Sequence, residues 1–473
     1  MLLVAAAMLA HLPGLDHQLF DPDEAAIATL GNVVAHGGVL YRDAIDRKPP
    51  LAPLLYAASF AITGTRDLRP LHALVAIELA GAALVLALEA RRVGSRRAGW
   101  WAAGLLITGA VAFRPVAAQA ANYSQLALLP ACGAIVAARR GTARSAMAAG
   151  VLLGVAVLTR QTWLLGLLPA AVGAWLSGDR RLSRPILVMV GTTLTIAAVA
   201  FVVPFGEFWR WTFTGNTSLL SVGASNAVWP RAQRTLWPFL AGHVAVCLLL
   251  LRRGLHRTDI DLWLWLVTGL VAVVAGFRFF DHYWFQVLPP LCLLAAPAID
   301  RVKRPVRMLL VALIAWPTVM SWRSAWTTTA FSNNWRPVVS LIEARTRPTD
   351  RVAVWGSVAE IYWLSGRFPG GSMVLTDFVV GRSAGRPDGP QRLHDAGPGV
   401  LDQYLRSLYS HPPRLFLDTS SAGIRGYRHY PISLEPRVDR FVHRYYRALP
   451  PADRITVYEL YRMPPTREPG TGR

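Results

Sequence analysis

Apolar residues fall in long stretches separated by short polar links. The stretches run roughly over 1–15, 69–90, 97–113, 121–138, 144–159, 161–177, 185–205, 235–251, 259–276, 282–298 and 305–322. A helix crosses the hydrocarbon core in about 20 apolar residues. Several stretches are shorter, so the pattern fixes their existence better than their ends. It predicts about eleven transmembrane helices within residues 1–322. The first, Met1–Leu15, lacks a basic leader and an Ala-x-Ala-like cleavage site. It reads as a membrane helix, tilted or beginning upstream, rather than a signal peptide.

The links are of two kinds. One is compact and basic: Arg91, Arg92, Arg96 and Arg97; Arg139, Arg140 and Arg144; Arg180, Arg181 and Arg184; Arg252, Arg253 and Arg257; Arg301, Lys303, Arg304 and Arg307. These alternate with links containing Asp21–Pro50, Arg114–Asn122, Arg160, Glu207–Arg234 and Arg278–His282. The positive-inside rule assigns the basic set to the cytoplasm. The loop 16–68 and everything after Trp322 then face outward, across a bacterial cytoplasmic membrane. Within that loop, Ala25–Ala35 reads as a helix closed by Gly37-Gly38. Leu51–Ile62 is too short to span and suits a helix lying at the interface.

After Trp322 the pattern changes. Asn334–Arg347, Val358–Leu364, Leu401–Ser410 and Arg437–Ala448 read as helices, and Arg351–Trp355, Met373–Thr376, Arg414–Asp418 and Ile455–Tyr461 as strands. This alternation predicts an extracytoplasmic α/β domain over 323–463. Arg382–Pro398, rich in Gly, Pro, Arg and Asp, reads as a mobile loop, and 464–473 as a disordered tail.

Composition agrees with lipid as the solvent: 53% of the 473 residues are hydrophobic and 16% charged, against about 25% charged in soluble domains. The net charge of +21 would point to nucleic acid in a soluble protein. Here the arginines sit between apolar stretches, so the charge is a topology signal and no nucleic-acid partner is expected. Lysine occurs only at 48 and 303, a bias expected of a GC-rich genome, which lifts Lys48 out of the background. Cys132, Cys247 and Cys292 all lie in apolar stretches, leaving no disulfide framework for the outer domain.

Three clusters carry chemistry. In Asp21-Pro22-Asp23-Glu24, capping explains much: Asp21 as N-cap, Pro22 at N1, and Glu24 completing a capping box. It does not require Asp23. The three carboxylates also offer a general base for an acceptor hydroxyl, and Asp21 with Asp23 offers two ligands to a divalent cation such as Mg²⁺ or Mn²⁺. The second cluster is Tyr41-Arg42-Asp43-Ala44-Ile45-Asp46-Arg47-Lys48-Pro49-Pro50. Lys48 there is either a snorkelling anchor or a point charge for a lipid phosphate. The third places Arg160-Gln161, Arg278 and His282-Tyr283 where spans emerge on the same side. Acids beside cations at headgroup depth suit a phospholipid-linked substrate whose phosphate leaves.

Together, Asp-Pro-Asp-Glu, the loop ending Tyr-Arg-Asp-x-x-Asp-x-Lys-Pro-Pro-Leu, Arg-Gln, and His-Tyr…Leu-Pro-Pro resemble the GT-C glycosyltransferases. More narrowly, the chain is similar to the bacterial branch related to protein O-mannosyltransferases and lipid A aminoarabinose transferases. The resemblance implies a GT-C-like membrane region, a polyprenyl-phosphate sugar donor and an acceptor (glycan, lipid or protein) outside the cytoplasm. It also implies inversion at the anomeric carbon. Asp23 matches the catalytic carboxylate, assisted by Asp21 or Glu24. Lys48 matches the lysine that meets the lipid phosphate, joined by Arg160, Arg278 and His282. Tyr41, Asp43, Asp46, Gln161 and Tyr283 are further substrate-contact candidates. Arg47 stands where the aminoarabinose-type pattern has an acid, which argues against that sugar. A lipid-linked sugar transporter or flippase would need mid-membrane ionisable groups and repeat symmetry, and the sequence reads as having neither. A non-catalytic envelope assembly protein would be indifferent to loss of the first-loop acids.

Overall fold

The computed structural model describes all residues except 18, 178–180, 215–227, 329–333, 382–398 and 469–473. The predicted loop Arg382–Pro398, residue Arg180 and the last five residues of the tail lie outside the described residues. Every apolar stretch forms helix. The first breaks at His11 into Leu2–Ala10 and Leu12–Asp16. Four helices (Arg69–Val93, Ser183–Phe201, Val228–Arg253 and Arg304–Ala325) are long and apolar enough to cross a membrane unaided. Shorter spans are extended by tight turns: Gln161–Gly166 leads into Leu167–Leu176, and Asp281–Gln286 into Leu288–Asp300. The chain is a polytopic α-helical membrane protein.

Small residues let its helices approach closely, as packing in lipid favours. A Cβ added to Gly150 would meet the Val188 carbonyl oxygen at 2.3 Å, so Ala143–Thr159 and Ser183–Ala198 touch backbone to backbone. At one end of the bundle, buried Glu89 receives Arg139 at 2.7 Å, and Arg139 also pairs with Asp261. Three helices are tied there by charges that would be costly alone. One feature departs from the sequence reading. Glu78 sits nine residues into Arg69–Val93, a mid-span ionisable group, and its buried Oε2 has no hydrogen-bond partner.

At the opposite end lies a five-stranded sheet of order β2-β1-β3-β5-β4. β1 (Arg351–Trp355) pairs in parallel with β2 (Phe368–Pro369) and β3 (Leu415–Asp418), while β5 (Ile455–Leu460) and β4 (Tyr446–Ala452) add antiparallel. Two predicted elements change. Met373–Thr376 is not a sheet strand: after β2 the chain turns away, and the Ile45 amide donates to the Ser372 carbonyl at 2.7 Å. The helix predicted over 437–448 ends at Tyr445, where the buried helical stripe Val438, Phe441, Val442, Tyr445 runs out. β4 then begins, and its Pro450-Pro451 is tolerated because β4 is an edge.

The first loop packs beneath this domain. Its helices Pro22–Ala35 and Leu51–Thr63 cross where a Cβ on Gly31 would meet Tyr56 Cβ at 2.6 Å. Phe60 stacks on Trp363 at 5.5 Å, and Arg66 donates to the Trp363 carbonyl at 2.9 Å. Loop and sheet therefore share one hydrophobic core.

Candidate active site

Asp21 caps the helix Pro22–Ala35, its Oδ1 accepting the Asp23 amide at 3.0 Å. Glu24 does not complete the capping box. It is fully buried and accepts from the Phe20 and Ala121 amides, each at 2.8 Å, with His72 Nε2 at 2.6 Å. Glu24 thus clamps the acidic turn to the helix Arg69–Val93 and to the turn at 121, and does not line the pocket described below. Asp23 faces the other way, its side chain 33% exposed.

The loop from Val39 delivers Lys48. Asp43 closes a turn by accepting the Val39 amide at 2.7 Å. Tyr41, at φ +68 and buried, donates to the Lys48 carbonyl at 2.9 Å. Both residues shape the loop and neither lines the pocket described below. Lys48 Nζ reaches Asp23 Oδ2 at 2.7 Å and lies 4.4 Å from the Tyr123 ring centre. Tyr123 donates to Asp46 at 2.9 Å.

Arg278 arrives on an unusual turn. Gly276, Phe277 and Phe279 all have positive φ. For a bulky side chain that conformation costs about 1–3 kcal/mol and concentrates at functional sites. Among the described residues Arg278 makes no hydrogen bond or ion pair. Arg160 differs: it is buried, donates to Ser124 and to Thr162 (3.0 Å), and lies over the Tyr283 ring at 4.0 Å. His282 is buried behind Asp23, with Nε2 at 3.9 Å from Oδ2.

Asp23, Asp46, Lys48, Gln161, Arg278 and Tyr283 line one pocket of about 270 Å³. A larger groove of about 570 Å³ between Ala112–Pro115, Pro238–Val244 and Leu313–Ser324 is walled mostly by apolar residues and holds none of these groups. The acid and cations thus converge as the sequence reading expected, whereas Tyr41 and Asp43 do not join them, Glu24 is sealed behind, and Arg160 and His282 back the wall. The pocket also holds residues that reading did not select: Thr162, Phe280, and Arg47, whose guanidinium lies 4.1 Å over Phe378. Leu375, Asp377 and Phe378 reach it from the sheet domain. Asp377 accepts from Ser357 at 2.7 Å and from Tyr427 at 3.0 Å. Nothing local in Thr-Asp-Phe marks it.

Burial opposes ionisation of Asp23, but Lys48, His282 and Arg160 prevail and hold its carboxyl well below the usual carboxylate range. Burial likewise disfavours the Lys48 ammonium, and Asp23 and Asp46 more than offset this. Asp21 is pushed up to about 8, first by burial and then by neighbouring Asp23. Asp21 therefore keeps its proton at neutral pH, and Asp23 is the carboxylate of the pair. The folded state holds that proton between roughly pH 4 and 8, where the unfolded chain has lost it, so this group's contribution to stability falls as pH rises through the interval. Asp21→Asn keeps the capping oxygen without the ionisation. Its melting temperature is expected to match the parent near pH 4 and to exceed it increasingly towards pH 8. A constant difference across that range would contradict the assignment.

Among the described residues no three His, Cys, Asp or Glu side chains gather to hold an ion, and Asp23 is already engaged by Lys48.

No family model and no curated protein matches the chain. Solved structures do. ArnT from Cupriavidus metallidurans bound to undecaprenyl phosphate aligns over 97% of each chain at 16% identity, with a TM-score of 0.62. The Archaeoglobus fulgidus oligosaccharyltransferase complex with Zn and sulfate aligns over 97% of this chain and 73% of its own at 12% identity, with a TM-score of 0.53. The archaeal oligosaccharyltransferase AglB from Archaeoglobus fulgidus, in complex with an inhibitory peptide and a dolichol-phosphate, aligns over 97% of this chain and 74% of its own at 11% identity, with a TM-score of 0.53. The protein has the GT-C fold that these structures share.

Proposed function

We propose that the protein transfers one sugar, a hexose or a pentose, from a polyprenyl-phosphate carrier to an envelope acceptor on the outer face of the cytoplasmic membrane. The observation that carries this reading is Arg278: a cation without a protein partner among the described residues, held by a strained turn in a pocket with Lys48 and Asp23. A phosphate would be its missing counter-charge. ArnT with undecaprenyl phosphate and AglB with dolichol-phosphate support such a carrier.

In this mechanism Lys48 and Arg278 bind the donor phosphate. Asp23 accepts the proton of an acceptor hydroxyl, whose oxygen attacks the anomeric carbon from the face opposite the phosphate. The sugar–phosphate bond breaks, and the carrier monophosphate leaves with its charge held by the two cations. Lys48 couples the two halves. While it lies on Asp23 the carboxylate is a poor base, and drawing it onto phosphate restores basicity where it is needed. Arg160 and His282 position Tyr283 and Asp23 from behind. Arg47 in the pocket favours a sugar without a positive charge, which disfavours aminoarabinose. Release of free carrier phosphate from polyprenyl-phosphate sugars by the purified protein tests the reading. Glu78 favours the transporter alternative, which predicts movement of intact donor across the bilayer with no such release.

Orientation has its own test. With Cys132, Cys247 and Cys292 replaced, a single cysteine at Asp453, in the exposed turn between β4 and β5, is expected to react with an impermeant reagent in intact cells. One at Arg140 is expected to stay protected. Labelling only at Arg140 would invert the scheme. Residue Gly389, which the sequence also assigns to the outside, lies beyond the described residues.

A further inference from the structure

We propose that the bundle end opposite Asp23 holds an anionic phospholipid carrying two phosphates. The helices Val228–Arg253, Leu288–Asp300 and Arg304–Ala325 converge there around a concavity of about 390 Å³. Arg252, Arg253, Arg301 and Lys303 line it, over an apolar floor that includes Leu249 and Val302. Arg253 is neutralised by Asp259, its Nε donating at 3.1 Å. Arg252, Arg301 and Lys303 have no ion-pair partner among the described residues.

The positive-inside rule accounts for cations at this end. It does not require them to ring a hollow with an apolar floor. The helix Arg304–Ala325 also begins here without a side-chain cap, so its first amides and positive dipole end face the same region. A single phosphate leaves most of three unpaired charges unneutralised, whereas two phosphates on one headgroup answer them and the acyl chains cover the floor. Basic pockets between membrane helices on the cytoplasmic side bind lipids of this kind. The site is separate from the sugar-transfer pocket and stands or falls without it.

The test uses the full-length protein in phosphatidylcholine nanodiscs doped with cardiolipin or with singly charged phosphatidylglycerol, with retained lipid counted by native mass spectrometry. Wild type is expected to retain cardiolipin preferentially. Arg252→Gln/Arg301→Gln/Lys303→Gln is expected to reduce that retention by at least about tenfold, since each surface cation contributes about fivefold. Arg91→Gln/Arg96→Gln/Arg144→Gln removes as much charge elsewhere on this face and is expected to retain it. Val302→Trp fills the floor without touching charge and is expected to displace the lipid, an arm that decides the matter should the first variant misfold. Equal loss from both triple variants, or full retention in Val302→Trp, would overturn the proposal.

Discussion

Asp23→Asn is expected to fold and bind donor normally yet transfer sugar about 10²–10⁴-fold more slowly, the usual contribution of a general base. The amide matches the carboxylate in size, and the cap belongs to Asp21, whose oxygen accepts the Asp23 backbone amide rather than any side-chain group. Helix initiation should therefore survive the change. Glu24→Gln provides the contrast. Glu24 is enclosed by Phe20, Ala121 and His72, so its loss should appear as lowered melting temperature and yield, with residual activity tracking the folded fraction. The comparison requires initial rates normalised to monodisperse protein. A fully active Asp23→Asn would remove the base from this position.

Lys48→Ala is expected to weaken donor binding at least tenfold and nearly abolish turnover. A hydrogen bond to a charged group contributes roughly 1.5–3 kcal/mol, and Lys48, which pairs with Asp23, is the proposed ligand of the phosphate. The contact with Asp23 supplies a signature that simple loss of affinity lacks. Without the ammonium at 2.7 Å, Asp23 loses the attraction that keeps its carboxyl below the usual range, so the acid limb of the residual activity should move to higher pH. Lys48→Arg separates a phosphate ligand from a membrane anchor. An anchor tolerates any long-stemmed cation, whereas a guanidinium fork is not an equivalent point charge in a pocket this small. Arginine is therefore expected to impair turnover noticeably while leaving folding intact. Unchanged donor affinity in Lys48→Ala would leave Arg278 as the phosphate ligand to examine.

The spans were legible because hydrocarbon imposes length and composition on any helix that crosses it. The meeting of Asp23 and Lys48 was legible because each stood out from a local explanation: capping did not need Asp23, and arginine elsewhere made one lysine conspicuous. Local rules misled at Glu24, where a capping-box pattern concealed a partner at His72, 48 residues away. They misled again at Met373–Thr376, an apolar run that meets the first loop instead of the sheet. Asp377 and Phe378 were invisible because their place in the pocket depends on how the sheet domain seats on the bundle, which no single segment encodes. The positive φ at Phe277 and Phe279 runs against residue preference, so sequence reasoning had no means of finding that turn. Glu78 is a single carboxyl in the middle of an apolar span, and the hydropathy of its flanks masks it.

Sugar transfer from a lipid phosphate is tested most directly by assaying the purified protein with a panel of polyprenyl-phosphate sugars, measuring free carrier monophosphate against time. Release is expected with at least one donor, dependent on acceptor and lost in Asp23→Asn. Intact donor throughout the panel with envelope acceptor extracts present, from protein shown to bind that donor, would contradict it.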